Sequence, residues 1–483
     1  MTISKQTVFS NLIWRFLERS GAQTVSFIVA VVLARILSPE DYGTIALITV
    51  VINILNVFVN SGLGNALIQK KNADTLDFST VFYTNIVFCL ILYALLFVFS
   101  PIIAEFYNDA ELVAIIRVLG LTVVISGVKN IQQAYVSKTM QFKKFFFSTL
   151  VGTVFAAVVG IAMAYCGFGV WALVAQQLVN TAIDTVILWG TVKWHPTLCF
   201  SVTRLKGLFA YGWKLLVSAL LESVSTNLRQ LIIGRKYSSS DLAFYNKGEQ
   251  FPQVIVLNIN NSIDSVIFPA MANAQDDKER LKSMTRRSIK TSTFCIAPMM
   301  MGIAACAPSI VTILLTEKWL FCVPFMRIFC VTYMFYPIHT ANLIALNALG
   351  RSDLFLVLEI IKKICGFAIL FSTMWFGVMV MAYSCLFSDL LGQLINTAPN
   401  KKLLGYGYLE QLRDILPGIL LAVFMGFLVS AINLLHCADW LKLCMQIPLG
   451  GAIFIAGAKF FKLEAFVYMK GIINECFFAR RNV

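Results

Sequence analysis

The stretch Arg35-Ile-Leu-Ser-Pro-Glu-Asp-Tyr-Gly43 has an echo two hundred residues later, Arg235-Lys-Tyr-Ser-Ser-Ser-Asp-Leu-Ala243. The Arg, Ser and Asp residues of the two stretches fall in register. Each stretch lies between two long apolar runs of the sequence. The pair therefore indicates an internal repeat of about two hundred residues in a chain of 483,.

A second pair of echoes keeps the same order along the chain. Ser100-Pro101 precedes Arg117, and Ala307-Pro308 precedes Arg327 at a similar offset. Two echoes in one order favour two related halves, each built of membrane helices. Such halves are typical of transporters that alternate access between two lobes.

Composition places the chain in a membrane. It is 58% hydrophobic and only 13% charged, with a mean hydropathy of +0.78. Its apolar residues come in runs of about 20, the length that crosses a bilayer core of about 30 Å. The first run contains Arg15 and Glu18 and is followed by no small-residue cleavage site, so it predicts a spanning helix rather than a signal peptide,.

We count fourteen candidate spans, which predict an all-α integral membrane protein. They are 8–37, 43–68, 78–101, 112–136, 146–165, 171–192, 207–234, 242–268, 291–315, 325–349, 354–375, 379–398, 415–433 and 443–458. Six spans in each half are an even number, so the two halves run in the same direction. Their relating axis would then lie along the membrane normal.

The predicted domains follow from this count. Residues 1–200 form an N-lobe of six spans, residues 201–400 a C-lobe of six, and residues 401–483 two extra spans with a basic tail. We expect the tail from residue 462 onward to form a helix on the inner leaflet. The longest loop is expected at 272–290.

The net charge of +14 reflects topology rather than nucleic-acid binding. Of the 39 Lys and Arg residues, 24 fall in one alternate set of the segments between spans and 5 in the other. Basic loops stay cytoplasmic, so both termini are predicted inside. The outer loops are acidic, and the basic excess fits contact with anionic lipid, with no nucleic-acid partner expected.

Sequence motifs for enzyme chemistry are missing. The chain has no G-x-x-x-x-G-K-[ST], H-E-x-x-H or G-x-S-x-G,. Its twelve cysteines lie mostly isolated in apolar runs, and its three histidines lie far apart, so no metal site is predicted,. We therefore expect a secondary-type transporter without cofactors, driven by an H⁺, Na⁺ or substrate gradient or by a partner protein.

The stretch from Ala34 to Gly43 closely resembles the first-loop signature of the polysaccharide transporter family. This family contains the oligosaccharide flippases of the multidrug/oligosaccharidyl-lipid/polysaccharide exporter superfamily. Looser likenesses lie at Phe106-Tyr-Asn-Asp109, Met140-Gln-Phe-Lys-Lys144 and Tyr245-Asn-Lys-Gly248. Gly248 and Glu249 depart from the family pattern, in which small and apolar residues are usual at these positions.

The resemblance implies two lobes of helices around a central cavity in the bacterial cytoplasmic membrane. It also implies a substrate, an undecaprenyl-diphosphate-linked oligosaccharide that moves from the inner to the outer leaflet for cell-surface polysaccharide synthesis. The implied partners are membrane lipids and the polysaccharide polymerase or export machinery. The spans that face the cavity in the superfamily are the first, seventh and eighth.

Charges inside spans are costly and therefore need a reason. The candidate substrate-binding cations are Arg19, Arg229, Lys247 and Lys129. Arginine suits a diphosphate because its planar fork donates two hydrogen bonds at once. The same residues could instead form buried salt bridges that join helices, and the sequence leaves both readings open.

Two carboxylates are candidates for ion coupling, Glu222 and Glu249. Glu222 lies near the middle of the seventh span, and Arg229 follows seven residues later on the same helix face. A desolvated carboxylate titrates closer to neutrality, which suits proton or Na⁺ coupling. Glu249 lies in the outer half of the eighth span beside Lys247.

Two other function classes fit the sequence less well. A drug or metabolite antiporter of the same superfamily would favour an acidic, aromatic cavity, whereas the candidate cations here are at least as numerous as the anions. A membrane glycosyltransferase, polymerase or ligase needs large loops for its catalytic residues, and the predicted loops are short. An oligosaccharide flippase is therefore the leading reading.

Overall fold

The computed structural model of the chain describes residues 5–60, 63–70 and 72–479. The chain is 87% helical, and the described residues contain no strand. This confirms the predicted all-α class. Contacts divide the chain into two compact units, Met1–Ala243 and Phe244–Val483.

The first unit contains eight helices in its described part. They are α1 (Lys5–Ile36), α2 (Pro39–Val59), α3 (Leu63–Gln69), α4 (Thr75–Tyr107), α5 (Leu112–Lys138), α6 (Lys143–Tyr165), α7 (Val170–Thr191) and α8 (Val202–Lys236). Here α8 packs on α2, α3 and α4. The repeat assigns α8 to the second lobe, and the lobe boundary at residue 200 stays a prediction.

The helix α9 (Ser239–Ala272) begins at the end of the first unit and lies mostly in the second. The other helices of the second unit's described part are α10 (Lys278–Leu314), α11 (Val323–Met334), α12 (Tyr336–Ala348), α13 (Ser352–Thr373), α14 (Val378–Leu403), α15 (Tyr408–Ser430), α16 (Asp439–Phe460) and α17 (Glu464–Ala479). Short 3₁₀ turns cover Glu317–Cys322 and Ala431–Leu434.

Eleven helical stretches of the described chain are long and apolar enough to cross a membrane. The three remaining predicted spans, 8–37, 207–234 and 354–375, coincide with α1, α8 and α13. The protein is thus a multi-pass membrane protein, and the count of fourteen spans stays a prediction.

The two repeated stretches fold in the same way at their helix starts. Ser38 caps α2, because its hydroxyl accepts from the Asp41 amide at 3.1 Å while Asp41 Oδ2 accepts from the Ser38 amide at 3.0 Å. Ser238 and Asp241 exchange the same two bonds at 3.0 and 3.2 Å. Such a capping box satisfies two backbone donors that a helix start leaves free.

The two repeated stretches also contact each other within the first unit. A Cβ on Gly43 would lie 1.8 Å from the Ser239 carbonyl oxygen, so glycine is required by this close approach. Beside it, the Ser240 hydroxyl donates to Glu40 Oε1 at 2.7 Å. The motif that marks the repeat is therefore also a packing contact between its two copies.

In the first of the two repeated patterns, Pro101 explains the position of Arg117. Pro101 lies inside α4 and has no N–H, so the carbonyl of Phe97 loses its helical donor,. The Ser100 hydroxyl donates to that carbonyl at 2.8 Å. Arg117 of α5 donates to the Ser100 hydroxyl at 2.9 Å and lies 4.1 Å from the centre of the Phe97 ring.

In the second repeated pattern, the arginine itself donates to the carbonyl that the proline leaves free. Pro308 lies inside α10 and deprives the carbonyl of Ala304 of its donor,. Arg327 of α11 donates from Nε to that carbonyl at 3.2 Å. The two echoed arginines thus do equivalent work, each stabilising the preceding helix where a proline interrupts it.

The predicted loop at 272–290 is wrong in extent, since α10 already begins at Lys278. The Asp277 side chain accepts from the Arg280 amide at 3.0 Å and so caps the helix,. The residues that follow form helices readily and contain no proline or glycine before the apolar part,. The basic segment therefore extends the helix beyond the span.

The predicted span 325–349 is divided into α11 and α12 at Phe335. Pro337 accounts for the break, because it lacks an N–H and its ring crowds the carbonyl four residues earlier. The tail forms the helix α17 as expected, and it packs on α10 and α16. Its position on a leaflet stays a prediction.

We predict that Arg327→Met destabilises the protein by about 1–3 kcal/mol, because the Ala304 carbonyl would lose its donor in an apolar surrounding. Pro308→Ala restores the backbone N–H. The double variant should therefore recover most of the loss, as measured by thermal unfolding of the detergent-solubilised protein. Arg280→Met, at an exposed position of α10, is the matched control. A full loss in the double variant would refute this role for Arg327.

Candidate functional site

The helix α8 carries Glu222 and Arg229 on one continuous stretch, Val202–Lys236. Their seven-residue spacing places them about 10 Å apart along the axis and on the same face. Glu222 is exposed and Arg229 is half-buried. Between them the Ser225 hydroxyl donates to its own helix, to the Leu221 carbonyl at 2.6 Å. Both residues thus lie on one face of an unbroken helix. Their binding roles stay predictions.

Lys129 forms an ion pair in the first unit. Its Nζ lies 2.9 Å from Asp184 Oδ2, which joins α5 to α7. The side chains are only 17% and 13% exposed, so the pair is well shielded from water. The carboxylate offsets the charge of the lysine, and this geometry is that of a salt bridge between helices. A substrate-binding role for Lys129 stays a prediction.

Lys247 is buried in the second unit near the start of α9. Its Nζ lies 3.4 Å from Gln250 Oε1 and 5.9 Å from the centre of the Trp319 ring. A ring face attracts a cation electrostatically at this distance. The amide oxygen and the indole thus stabilise the ammonium group within α9 and the turn that precedes α11.

Gly248 departs from the family pattern, and close packing against α11 explains why glycine is present here. A Cβ at this position would lie 2.6 Å from the Phe325 Cβ, 2.9 Å from the Met326 nitrogen and 3.0 Å from the Cys322 carbonyl oxygen. Two of these contacts are with backbone, which has little freedom to move. Glycine therefore permits α9 to approach the first turn of α11, and this approach holds Lys247 close to Trp319.

Glu249 accepts a hydrogen bond from the Tyr333 hydroxyl at 3.1 Å. Tyr333 packs against Tyr336 at 6.1 Å, and Tyr336 stacks on His339 at 5.6 Å between ring centres. Asn396 donates from Nδ2 to His339 Nδ1 at 2.9 Å. A row of polar aromatic groups therefore runs from the Glu249 carboxylate along α11 and α12. The coupling role of Glu249 stays a prediction.

A buried amide cluster ends this row. Asn342 donates to Gln411 Oε1 at 2.8 Å, and Gln411 donates back to Asn342 Oδ1 at 3.0 Å. Asn400 donates to the same Asn342 oxygen at 2.7 Å. All three residues are fully buried, so the cluster fixes α12, α14 and α15 to one another,.

Arg19 lies in α1, and its side chain falls outside the described residues. The sequence indicates the charged residues but not the partners that packing brings to them, Asp184, Tyr333 and Trp319, nor the amide cluster. Amides four residues apart in an apolar span, Asn396 and Asn400, were the available signal for the cluster. Within the described residues, no three His, Cys, Asp or Glu side chains are grouped to hold a metal ion.

Residues 32–324 match the model of a family described as "Polysaccharide biosynthesis protein". The chain belongs to this family. It is 25% identical to the succinoglycan biosynthesis transport protein ExoT of Rhizobium meliloti over 67% of its own length and 65% of that protein. It is 27% identical to the teichuronic acid biosynthesis protein TuaB of Bacillus subtilis over 62% of each chain. These matches thus span less than two thirds of either relative.

Among solved structures, the chain resembles the lipid II flippase MurJ in an inward closed conformation. The likeness has a TM-score of 0.75 and covers 93% of this chain and 98% of that one. The sequences are 12% identical, so the likeness establishes a shared fold.

We predict that Lys129→Met costs about 3–5 kcal/mol of stability, because it leaves the shielded Asp184 carboxylate unpaired. The double variant Lys129→Met/Asp184→Leu should recover much of that loss. Arg351→Gln is the control, since it breaks a pair with Asp353 that is 43% and 60% exposed and should leave stability almost unchanged,.

Transport by the same variants separates the two readings of Lys129. A purely structural pair predicts that export returns together with stability in the double variant. A substrate-binding Lys129 predicts a stable protein that does not export. Stability is measured by thermal unfolding, and export by complementation of a strain that lacks the transporter.

Proposed function

We propose that the chain flips an undecaprenyl-diphosphate-linked oligosaccharide from the inner to the outer leaflet of the bacterial cytoplasmic membrane, by alternating access and with both termini cytoplasmic. Membership of the polysaccharide biosynthesis family and the flippase-like fold support this proposal. The substrate is amphiphilic, so the protein must accommodate a long apolar tail as well as a polar head.

The observation that carries the proposal is an apolar groove in the second unit. It has a volume of about 540 Å³ and is lined by α9, α10, α15 and α16. A Cβ on Gly302 or on Gly451 would meet no atom within 4 Å, so both glycines leave the groove open. Its walls include Met299, Ile447 and Phe454. An open apolar groove of this kind suits a segment of polyprenyl chain.

The polar head needs a different surface. The charged face of α8, with Glu222 and Arg229, supplies a guanidinium that can donate two hydrogen bonds to a diphosphate. A substrate that is anionic at its head and apolar at its tail would use both features. On this proposal Glu222 or Glu249 couples the cycle to H⁺ or Na⁺, since proton or ion binding changes the charge beside the head group.

We predict that Gly302→Leu and Gly451→Leu reduce translocation about tenfold or more while the protein still folds. A Cβ at either position meets no atom within 4 Å, and the rest of each leucine side chain would fill space that the tail would use. Displacing two methylene groups from apolar contact costs about 1.6 kcal/mol, which is about tenfold in binding. Flipping of fluorescent lipid-linked oligosaccharide in proteoliposomes measures the effect.

The matched control is Gly190→Leu. Gly190 of α7 also has no atom within 4 Å of a built Cβ, and it lies in the first unit, away from the groove. This variant should flip normally. Equal activity of all three leucine variants would show that the tail does not use the groove.

We predict that Arg229→Ala abolishes export with normal protein level and membrane insertion. Arg229→Lys should rescue only in part, because a point charge replaces a bidentate fork. Arg280→Ala, at an exposed site on α10, should export normally. Complementation and immunoblotting of membranes measure the two properties separately.

The acid on the same face is tested by Glu222→Gln, which keeps shape and removes titration. Normal transport by this variant across pH would assign Glu222 a structural role. The double variant Glu222→Gln/Arg229→Gln should stay inactive even where it folds. Normal export by the double variant would end the proposal that this face of α8 binds the head group.

A further inference from the structure

The basic end of the second unit contains a cavity that the proposed transport function does not use. It has a volume of about 480 Å³ and lies between α10, α15 and the start of α17. A second cavity of about 460 Å³ adjoins it and shares Lys290 and Glu464 with it. We call the two together the basic pocket. Its walls come wholly from residues of the second unit.

The acceptors of the basic pocket are already occupied. Asp414 Oδ1 accepts from Arg286 at 2.5 Å and lies 3.2 Å from Lys290 Nζ. Asp414 Oδ2 accepts from the Tyr406 hydroxyl at 2.8 Å, and burial together with this bond raises the pKa of Tyr406, so the phenol stays protonated. Lys290 also pairs with Glu464 at 2.6 Å. This carboxylate network therefore has little capacity left for further donors.

Two polar atoms at the basic pocket have no hydrogen-bond partner among the described residues. Arg286 Nε is buried and has no hydrogen-bond partner among the described residues. Thr293 is only 1% exposed, and its hydroxyl also has no hydrogen-bond partner among the described residues. Buried polar groups are nearly always hydrogen-bonded, so the packing here leaves too few acceptors, although neither atom is itself exposed to the cavity,.

The excess of cations at the basic pocket indicates that its ligand is an anion. Six cations lie in or beside the basic pocket, against three carboxylates. The cations are Lys282, Arg286, Arg287, Lys290, Arg413 and Lys462, and the carboxylates are Glu410, Asp414 and Glu464. Arg413 is exposed and lines the cavity. The local charge is positive, and a phosphate would supply both negative charge and several acceptor oxygens.

The rest of the wall is apolar and selects a lipid over a free anion. Phe294, Ile415, Pro417 and Leu463 line the same cavity as the arginines. A ligand that fills the site should therefore carry a phosphate at one end and hydrocarbon at the other. Basic pockets between membrane helices on the cytoplasmic side bind anionic lipid head groups by the same combination.

We propose that the basic pocket is a binding site for the phosphate head group of an anionic membrane phospholipid. The guanidinium groups of Arg286 and Arg413 donate to the phosphate, and one acyl chain lies along Phe294 and Leu463. The bound lipid fixes α17 against α10 and α15. The site does not depend on the transport proposal, because it concerns a resident lipid and not the cargo.

The test uses the full chain in detergent with four added probes: phosphatidylglycerol, phosphatidylcholine with the same acyl chains, inorganic phosphate, and undecaprenyl diphosphate. Thermal unfolding is followed as each probe is titrated, and bound lipid is counted by native mass spectrometry. We expect phosphatidylglycerol alone to raise the unfolding midpoint at low molar ratio and to be retained.

Variants locate the site. Arg413→Gln should weaken phosphatidylglycerol binding by about tenfold, the effect of losing one charge-assisted hydrogen bond. Arg280→Gln is the matched control, since it removes an exposed arginine of α10 that does not line the basic pocket. It should bind phosphatidylglycerol as the parent chain does.

The outcomes that overturn the proposal are distinct. Equal stabilisation by phosphatidylcholine would show an apolar site only, and equal stabilisation by phosphate would show a simple anion site. Preference for undecaprenyl diphosphate, lost in Arg413→Gln, would make the pocket part of the cargo path. Equal loss in Arg280→Gln and Arg413→Gln would show unspecific attraction to a basic surface.

Discussion

The helices of this protein depend on a partner for every backbone carbonyl that water cannot reach. Pro308 takes the donor from Ala304, and Arg327 replaces it from the next helix at 3.2 Å. In the first unit Ser100 and Arg117 meet the same need after Pro101. Because an unsatisfied group inside a membrane costs several kcal/mol, a donor from a neighbouring side chain stabilises the carbonyl that each of these two prolines leaves free. This constraint explains why the repeat preserves a proline followed by an arginine.

The same low dielectric decides what intramembrane charges can do. Lys129 is offset by Asp184 at 2.9 Å, and Lys362 by Glu359 at 2.5 Å, so neither presents its full charge to a ligand. Lys247 is stabilised by an amide oxygen and a ring face. An anionic cargo needs a cation that can turn towards it. Arg229 is half-buried on α8, and its role in binding a head group stays a prediction.

The sequence predicted the helical class because hydrophobic runs of span length are a direct consequence of bilayer thickness. The Lys362–Glu359 pair is of the kind that spacing alone indicates, since the residues are three apart on one helix face,. It could not predict Asp184 as the partner of Lys129, because fifty-five residues separate them and only packing brings α5 to α7. The extent of α10 was missed because a basic amphipathic extension has the composition of a loop.

The proposed function explains the two helices that lie beyond the repeat, α15 and α16. A transporter of soluble molecules needs a polar path alone, whereas a lipid-linked cargo also needs a place for its tail while its head crosses. α15 and α16 supply Met425 and Gly451 to one side of the apolar groove, and α10 supplies Gly302 to the other. Two lobes of six spans would leave this side of α10 open to lipid. The extra pair therefore converts an exposed helix face into a groove, and the glycines keep that groove open where larger side chains would fill it.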